Sequence, residues 1–239
     1  MFATLKILLV YLSLGSIAGI LGIPYSFLVG DIAPLYRVAM RIIRAGLRAG
    51  GIRVTVIGLE HVPAHQSCIF MCNHVSNLDP PVVLPHLPGR SSVLLKIGLM
   101  RIPLLGTAMR MGKFIPVERS RSREAAQRSV LAAAEALQSG LHILVFPEGT
   151  RSPTGRLSAL KKGPFFLARE TQAPVIPIAI SGTQQMLRKG SFAVVSGTAR
   201  MELLPAIYPA AYPTREALMA EVHRALAAAL PEEMKPLPT

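Results

Sequence analysis

Short apolar runs alternate with longer amphipathic stretches along this chain, and the pattern predicts an α/β domain. Strands are expected at residues 52–58, 67–72, 92–95, 113–117, 141–146 and 174–181. Helices are expected at residues 124–138, 157–171 and 214–231, with a short helix or loop at 100–111. Strands that alternate with helices are typical of a mostly parallel sheet flanked by helices on both faces.

The remaining segments divide the chain into four parts. Residues 192–195 and 200–204 are expected to form a closing strand pair, and the proline-rich residues after Pro231 a loose tail. We therefore assign an N-terminal hydrophobic segment to residues 1–30, a basic amphipathic helix to 31–50, the main domain to 51–230 and the tail to 231–239.

The first segment predicts a membrane anchor. No charged residue lies between Lys6 and Asp31. As a helix this run would be about 36 Å long, against a hydrocarbon core of about 30 Å. The run is long and lacks an Ala-x-Ala cleavage site, which disfavours a signal peptide. Gly15, Gly19, Gly22 and Pro24 leave two alternatives open, a full span and a kinked or half-buried anchor.

A stripe of arginines follows the anchor. Arg37, Arg41, Arg44 and Arg48 have the spacing of one helix face. A cationic amphipathic helix beside an apolar segment is expected to lie on an anionic headgroup layer. Because the arginines follow the apolar segment, the main domain is expected on the cytoplasmic side of the cell membrane.

Charge and composition favour a membrane partner over nucleic acid. The 239 residues carry a net charge of +13, which indicates an anionic partner. Single-stranded nucleic acid is usually bound with stacking aromatics, yet Trp is absent and aromatics make up 5%. The two cysteines, Cys68 and Cys72, match no zinc pattern, so no metal site is expected and core packing is their predicted role.

Two polar runs that follow apolar strands contain the candidate chemistry. In the run 73–79, His74 and Asp79 lie five residues apart, and a carboxylate at this spacing can orient an imidazole that acts as a base. Asp79 precedes Pro80 and is expected to cap a helix. The second run is Phe146-Pro147-Glu148-Gly149-Thr150-Arg151-Ser152. Because working residues collect at the carboxyl ends of parallel strands, the two runs are expected to share one crevice.

These runs resemble the motifs of the glycerolipid acyltransferase family. Asn73, His74 and Asp79 match its first motif, Asn-His-x-x-x-x-Asp, and residues 146–152 match its third without change. The second and fourth motifs correspond more loosely to residues 112–119 and 175–179. The resemblance extends over roughly residues 55 to 205.

The resemblance implies a membrane-bound enzyme that transfers a fatty acyl group to the sn-2 hydroxyl of lysophosphatidic acid, giving phosphatidic acid. Acyl-CoA or acyl carrier protein would be the co-substrate, with no cofactor. His74 would be the catalytic base, oriented by Asp79. The residues expected to bind substrate are Lys96, Arg119, Glu148, Gly149, Thr150 and Arg151.

Two alternatives remain open. One is an acyltransferase of the same fold with another lyso-lipid acceptor, such as a lyso-ornithine lipid or a lysophospholipid. The other is a non-catalytic basic protein that binds a membrane surface, which the presence of both His74 and Asp79 disfavours.

Overall fold

A computed structural model of the chain shows a seven-stranded sheet covered by helices on both faces. It describes residues 2–117 and 123–237. The strands are β1 (Ile52–Ile57), β2 (Ile69–Cys72), β3 (Ser91–Lys96), β4 (Ile115–Val117), β5 (His142–Val145), β6 (Val175–Ser181) and β7 (Gly197–Leu203). The helices are α1 (Phe2–Val29), α2 (Ala33–Ala49), α3 (Asp79–Val83), α4 (Leu105–Met111), α5 (Arg123–Gln138), α6 (Lys162–Thr171), α7 (Thr183–Met186) and α8 (Arg215–Ala229).

The sheet is mostly parallel, as the sequence predicts. Its strand order is β1-β7-β6-β2-β5-β3-β4. The five strands from β6 to β4 run parallel to one another, whereas β7 is antiparallel to β6 and β1 runs parallel to β7. The carboxyl ends of β6, β2 and β5 therefore meet side by side at the middle of one sheet edge.

Alternate residues of β2 belong to two different apolar layers. Ile69 and Met71 pack with buried residues of α5, α6 and α8. Phe70 and Cys72 pack on the opposite face, with Ile7 of α1 and buried residues of α2 and α3. Burial on both faces explains why this strand is a continuous apolar run instead of an alternating one.

Helix α1 packs antiparallel against α2. The hydroxyl of Tyr11 donates to the carbonyl oxygen of Ile43 at 3.2 Å. A Cβ at Gly46 would collide with the Tyr11 ring, so the absence of a side chain there permits the close approach. Farther along, Leu35 of α2 fills the space beside Gly22.

Contacts with the domain continue along α1. The Thr4 hydroxyl accepts a hydrogen bond of 2.8 Å from the backbone N–H of Val194. Fifteen residues later, Gly19 lies against Leu104, at a would-be Cβ distance of 3.2 Å. Helix α1 therefore lies along the domain instead of projecting from it.

The opposite face of α1 is apolar and exposed. It presents large apolar side chains such as Leu9, Leu12 and Leu21, each at least 67% exposed. An 18-residue window of α1 has a mean hydropathy of 2.1, so the helix is long and apolar enough to cross a membrane. The stripe predicted on α2 is also exposed at all four arginines, although Arg44 donates to the carbonyl oxygen of Pro85.

Three predicted segments differ from the structure. Residues 192–195 are not a strand, because both edges of β7 are already occupied by β6 and β1. Residues 157–161 precede α6 instead of starting it, since the backbone N–H groups of Leu157 and Lys161 donate to the carbonyl oxygens of Met234 and Pro147. The tail is not loose as far as Met234, which is 2% exposed and packs in the core.

Candidate active site

Adjacent strands position the two predicted polar runs. Strand β2 pairs with β5 in parallel, with Met71 opposite Val145, so the loops that follow them begin at the same edge of the sheet. His74 lies in the first loop and Glu148 in the second. The backbone N–H of His74 donates to Oε1 of Glu148 at 2.7 Å. The expected shared crevice is therefore present, with the two runs in direct contact.

Asn73 ends strand β2 and directs the chain toward the site. Its side-chain oxygen accepts a 2.7 Å hydrogen bond from the backbone N–H of Ile180, and its amide nitrogen donates to the Ile180 carbonyl oxygen at 3.0 Å. The side-chain amide thus takes the place of a backbone group in the pairing of β2 with β6. The backbone after Asn73 can then leave the sheet.

His74 and Asp79 form the predicted pair. Nδ1 of His74 lies 2.8 Å from Oδ2 of Asp79. Because an ionised carboxylate only accepts hydrogen bonds, this contact places the ring proton on Nδ1 and leaves the lone pair on Nε2. The ring stacks on Phe146, with a centroid separation of 4.2 Å. The His74 side chain is 16% exposed, so its free edge reaches the surface of the crevice.

Asp79 is completely buried and fully hydrogen-bonded. Oδ2 also accepts from the backbone N–H groups of Val75 and Ser76, at 2.7 and 2.8 Å. Oδ1 accepts a 2.5 Å hydrogen bond from the hydroxyl of Thr183. The prediction that Asp79 caps α3 is wrong, because Asp79 is the first residue of that helix and its carboxylate turns back toward the preceding loop.

Glu148 connects the two loops. It is 2% exposed, and Oε2 accepts a 2.9 Å hydrogen bond from the backbone N–H of Ser158. Burial raises the pKa of Glu148, and the two backbone donors, His74 and Ser158, offset part of that effect. The resemblance implies that Glu148 binds substrate, but in the described part of the chain each of its carboxylate oxygens already accepts a hydrogen bond from a backbone N–H group.

The other predicted substrate-binding residues lie around this pair of loops. Gly149 has a φ of +72°, which favours glycine, and its backbone N–H closes a turn onto the carbonyl oxygen of Phe146. Thr150 is exposed and Arg151 half-buried. The backbone of Lys96 ends β3. The side chain of Lys96 and all of Arg119 lie outside the described residues.

Two site residues were missed by the sequence reasoning, Thr183 and Ser158. Each contacts a predicted residue from a distance along the chain, Thr183 across 104 positions and Ser158 across 10. Thr183 follows the fourth motif closely, and that position was its one available signal.

The thiols near the site are protonated and unsuited to nucleophilic attack. Burial raises the pKa of Cys68 to about 12. Burial, together with the carboxylates of Asp79 and Glu148, raises the pKa of Cys72 well above its usual value. The Cys72 thiol donates to the carbonyl oxygen of Asn73 at 3.2 Å. Both cysteines therefore pack in the core, as predicted.

Comparison with known families decides the class of protein. The family model described as Acyltransferase matches residues 53–181, which is more than half of the chain. This chain belongs to the acyltransferase family. The match includes His74, Asp79 and the run 146–152, so the motifs that suggested the resemblance lie inside the acyltransferase region.

Relatives within the family have specific names. The chain is 33% identical over 157 residues to human 1-acyl-sn-glycerol-3-phosphate acyltransferase alpha, covering 66% of this chain and 56% of the relative. It is 34% identical over 158 residues to the chloroplastic 1-acyl-sn-glycerol-3-phosphate acyltransferase BAT2 of Brassica napus, covering 65% and 45%. The chain thus spans about half the length of the curated relatives that it matches.

A solved structure matches nearly the whole chain. The crystal structure of the 1-acyl-sn-glycerophosphate (LPA) acyltransferase PlsC from Thermotoga maritima superposes with a TM-score of 0.79 at 25% identity. The match covers 95% of this acyltransferase and 92% of that chain. The predicted fold class is confirmed by this similarity.

Proposed function

We propose that this acyltransferase transfers a fatty acyl group from a thioester to the sn-2 hydroxyl of lysophosphatidic acid, giving phosphatidic acid. The observation that carries the proposal is the His74–Asp79 pair, whose Nδ1 and Oδ2 atoms lie 2.8 Å apart. The pair lies at the carboxyl ends of the central strands, within the residues that match the family model. The names of the relatives and of the superposed structure support the choice of acceptor.

In this reaction His74 is the general base. Asp79 holds the Nδ1–H, so Nε2 takes the proton of the acceptor hydroxyl while its oxygen attacks the thioester carbonyl. The carbon–sulfur bond then breaks, and the imidazolium returns the proton to the thiolate that leaves. The dyad stabilises the positive charge between these two steps, and this chemistry needs neither a metal nor a cofactor.

The acyl group passes directly from donor to acceptor in this proposal. A covalent intermediate would need an activated Ser or Cys beside His74. The Cys72 thiol is buried and donates to Asn73, and the Ser76 hydroxyl donates to the carbonyl oxygen of Leu187 at 2.8 Å. Both nearby candidates are thus engaged elsewhere.

Arginine side chains are proposed to hold the acceptor phosphate. Guanidinium groups bind phosphate through two parallel hydrogen bonds, and Arg151 lies on the loop that contacts His74, with Arg119 the other candidate. The turn at Gly149 and the exposed Thr150 would approach the glycerol end, with Lys96 at the neighbouring strand end. We propose that Glu148 supports this site indirectly, by fixing the loop of His74.

We propose that α1 anchors the enzyme by lying in one leaflet, with its outer apolar face in lipid. A full span is disfavoured because α2 packs along α1 and would enter the hydrocarbon with it. Each arginine at the centre of a membrane costs about 2.5–3.5 kcal/mol, and α2 has four. The exposed stripe would instead contact anionic headgroups of the cytoplasmic leaflet.

An acceptor screen tests the proposed function. The purified full chain in detergent is given acyl-CoA or acyl carrier protein thioester, together with lysophosphatidic acid, other lysophospholipids and a lyso-ornithine lipid, and products are identified by mass. We expect phosphatidic acid to be the main product. A preference for another acceptor would retain the reaction class and overturn the substrate, whereas no transfer to any acceptor would overturn both.

A further inference from the structure

Thr183 contacts the catalytic pair from α7, the short helix after β6, which contributes no residue to the predicted dyad. Its hydroxyl donates to Oδ1 of Asp79 at 2.5 Å, and both residues are 0% exposed. Such a distance is typical of a hydroxyl bound to an ionised carboxylate. Oδ2 accepts the bonds from the loop 74–76, so within the described part of the chain Thr183 is the one donor to Oδ1.

The turn that aims Thr183 at Asp79 depends on glycine. Gly182 joins β6 to α7 with a φ of +89°, a conformation that L side chains rarely adopt. A Cβ at Gly182 would also collide with the backbone carbonyl oxygen of Thr198 in β7. The sheet thus fixes the backbone from which the Thr183 side chain reaches the carboxylate.

We propose that Thr183 is a positioning residue of the His74–Asp79 pair, an inference that rests on the proposed function. A donor on Oδ1 fixes the rotation of the carboxylate, so that Oδ2 faces Nδ1 of His74. The same bond shares the negative charge and limits how strongly Asp79 holds the imidazolium. Without it, the imidazolium is held too tightly and gives up its proton less readily.

A second contact of α7 with the same loop separates this role from simple support. The Ser76 hydroxyl donates to the Leu187 carbonyl oxygen at the far end of α7, at 2.8 Å. This bond also joins the loop to α7, but it does not reach the carboxylate of Asp79. S76A therefore serves as a control that removes the hydrogen bond between these two elements, together with the 3.3 Å bond that the Ser76 hydroxyl accepts from the backbone N–H of Leu78.

The test compares T183V, which keeps the shape and removes the donor, with T183S, which restores the donor. The full chain is assayed for transfer to lysophosphatidic acid across pH, and its thermal unfolding is followed in parallel. We expect T183V to lower kcat/KM by roughly tenfold, the scale of a lost hydrogen bond to a charged group. We also expect the acidic limb of the pH profile of kcat/KM to move to higher pH in T183V. The rate and the pH profile of T183S should be close to those of the wild type.

Stability alone should not reproduce this pattern. S76A is expected to lower the unfolding temperature without moving the acidic limb. If T183V also loses stability but the acidic limb of its pH profile stays where it is in the wild type, Thr183 is only structural and the inference is wrong. T183A removes the donor with less steric demand, and it replaces T183V if the valine variant does not fold.

A measurement without substrate keeps the inference separate from the proposed reaction. The His74 imidazole is titrated by NMR in the wild type and in T183V, using H74A to assign its signal. A midpoint that moves to higher pH in T183V supports the role of Thr183 even if no acceptor is acylated. An unchanged midpoint overturns it even if phosphatidic acid is formed.

Discussion

Asp79 and Glu148 are two buried carboxylates held by backbone N–H groups, yet they differ in what else they contact. Asp79 also binds the side chains of His74 and Thr183. The oxygens of Glu148 accept hydrogen bonds from the backbone N–H groups of His74 and Ser158, and the Ser158 side chain is a further donor. In the proposed mechanism the first arrangement orients a base, whereas the second arrangement joins two loops.

A substitution at Glu148 tests the loop connection. In E148Q the side chain keeps one acceptor, so its NH₂ group faces one of the two backbone N–H donors. We expect a loss of about 1–3 kcal/mol in the free energy of unfolding at neutral pH, the usual cost of an unpaired buried group. Chemical denaturation in detergent measures it, and E170Q on the exposed surface of α6 is the control. Equal stability of the two variants would contradict this role.

The pH dependence of that difference has a defined sign. Burial raises the pKa of Glu148 in the folded protein above its ordinary value of 4.5. Its contribution to stability is therefore full below about pH 4.5 and is lost as the pH rises through the higher folded value. As the pH rises above about 4.5, the stability of the wild type should fall relative to that of E148Q, which does not titrate. A constant difference would contradict the raised pKa.

His74 and Asp79 could be predicted as a pair because both lie in one short run, at a spacing that lets the carboxylate hydrogen-bond the imidazole. The contacts of Thr183 and Ser158 could not, because they depend on which strands and loops become neighbours. The partners of Glu148 could not be predicted for the same reason. Its motif indicated that it belongs to the site, but not that its oxygens accept hydrogen bonds from backbone N–H groups.

At the scale of elements, the sequence predicts the buried strands most clearly. The segments between the strands and helices are predicted least well. β2, β5 and β6 are short apolar runs, and their length is typical of buried strands. Residues 192–195 have a similar apolar pattern, but the sequence does not reveal that β7 has no free edge. Residues 157–161 are held outside the helix by hydrogen bonds to Pro147 and Met234. Contacts between segments this far apart cannot be read from the local sequence, which by itself predicts a helix here.

The pairing of α1 with α2 depends on Gly46. In G46A the added methyl group must displace the Tyr11 ring, whose hydroxyl donates to the carbonyl oxygen of Ile43. We expect a loss of about 1–3 kcal/mol, as for overpacked cores, and faster proteolysis of α1 in detergent. G15A is the matched control, because a Cβ at Gly15 meets nothing within 4 Å. A G46A protein as stable and protease-resistant as G15A would show that this close approach does not hold α1.

For the whole molecule, composition predicted a membrane protein, but only the packing indicates how α1 lies. A spanning helix would place the N-terminus and the catalytic domain on opposite sides of the membrane. The in-plane anchor places them on the same side. In sealed vesicles, we expect an N-terminal tag and the domain to be digested by protease together. Protection of the tag alone would contradict the in-plane anchor.

The arginine stripe should add a salt-sensitive preference for anionic lipid, of about 1 kcal/mol per residue. The R37Q/R41Q/R48Q variant retains Arg44, which contacts Pro85, and is expected to bind anionic and neutral vesicles alike. R215Q/R224Q, on α8, is the control and should keep the wild-type preference. All three proteins should remain membrane-bound through a high-salt wash, because burial of α1 is not screened by salt. Release of the wild type by salt alone would mean that α1 is not an anchor.

The central claim is that His74, oriented by Asp79, is the base in acyl transfer. Its most direct test is the rate of phosphatidic acid formation by H74A, with H65A, at an exposed position, as the control. We expect H74A to fold and bind membranes but to lose transfer, and D79N to lose on the order of 10³ to 10⁴ in rate. H65A should match the wild type. Near wild-type turnover by H74A would contradict the mechanism.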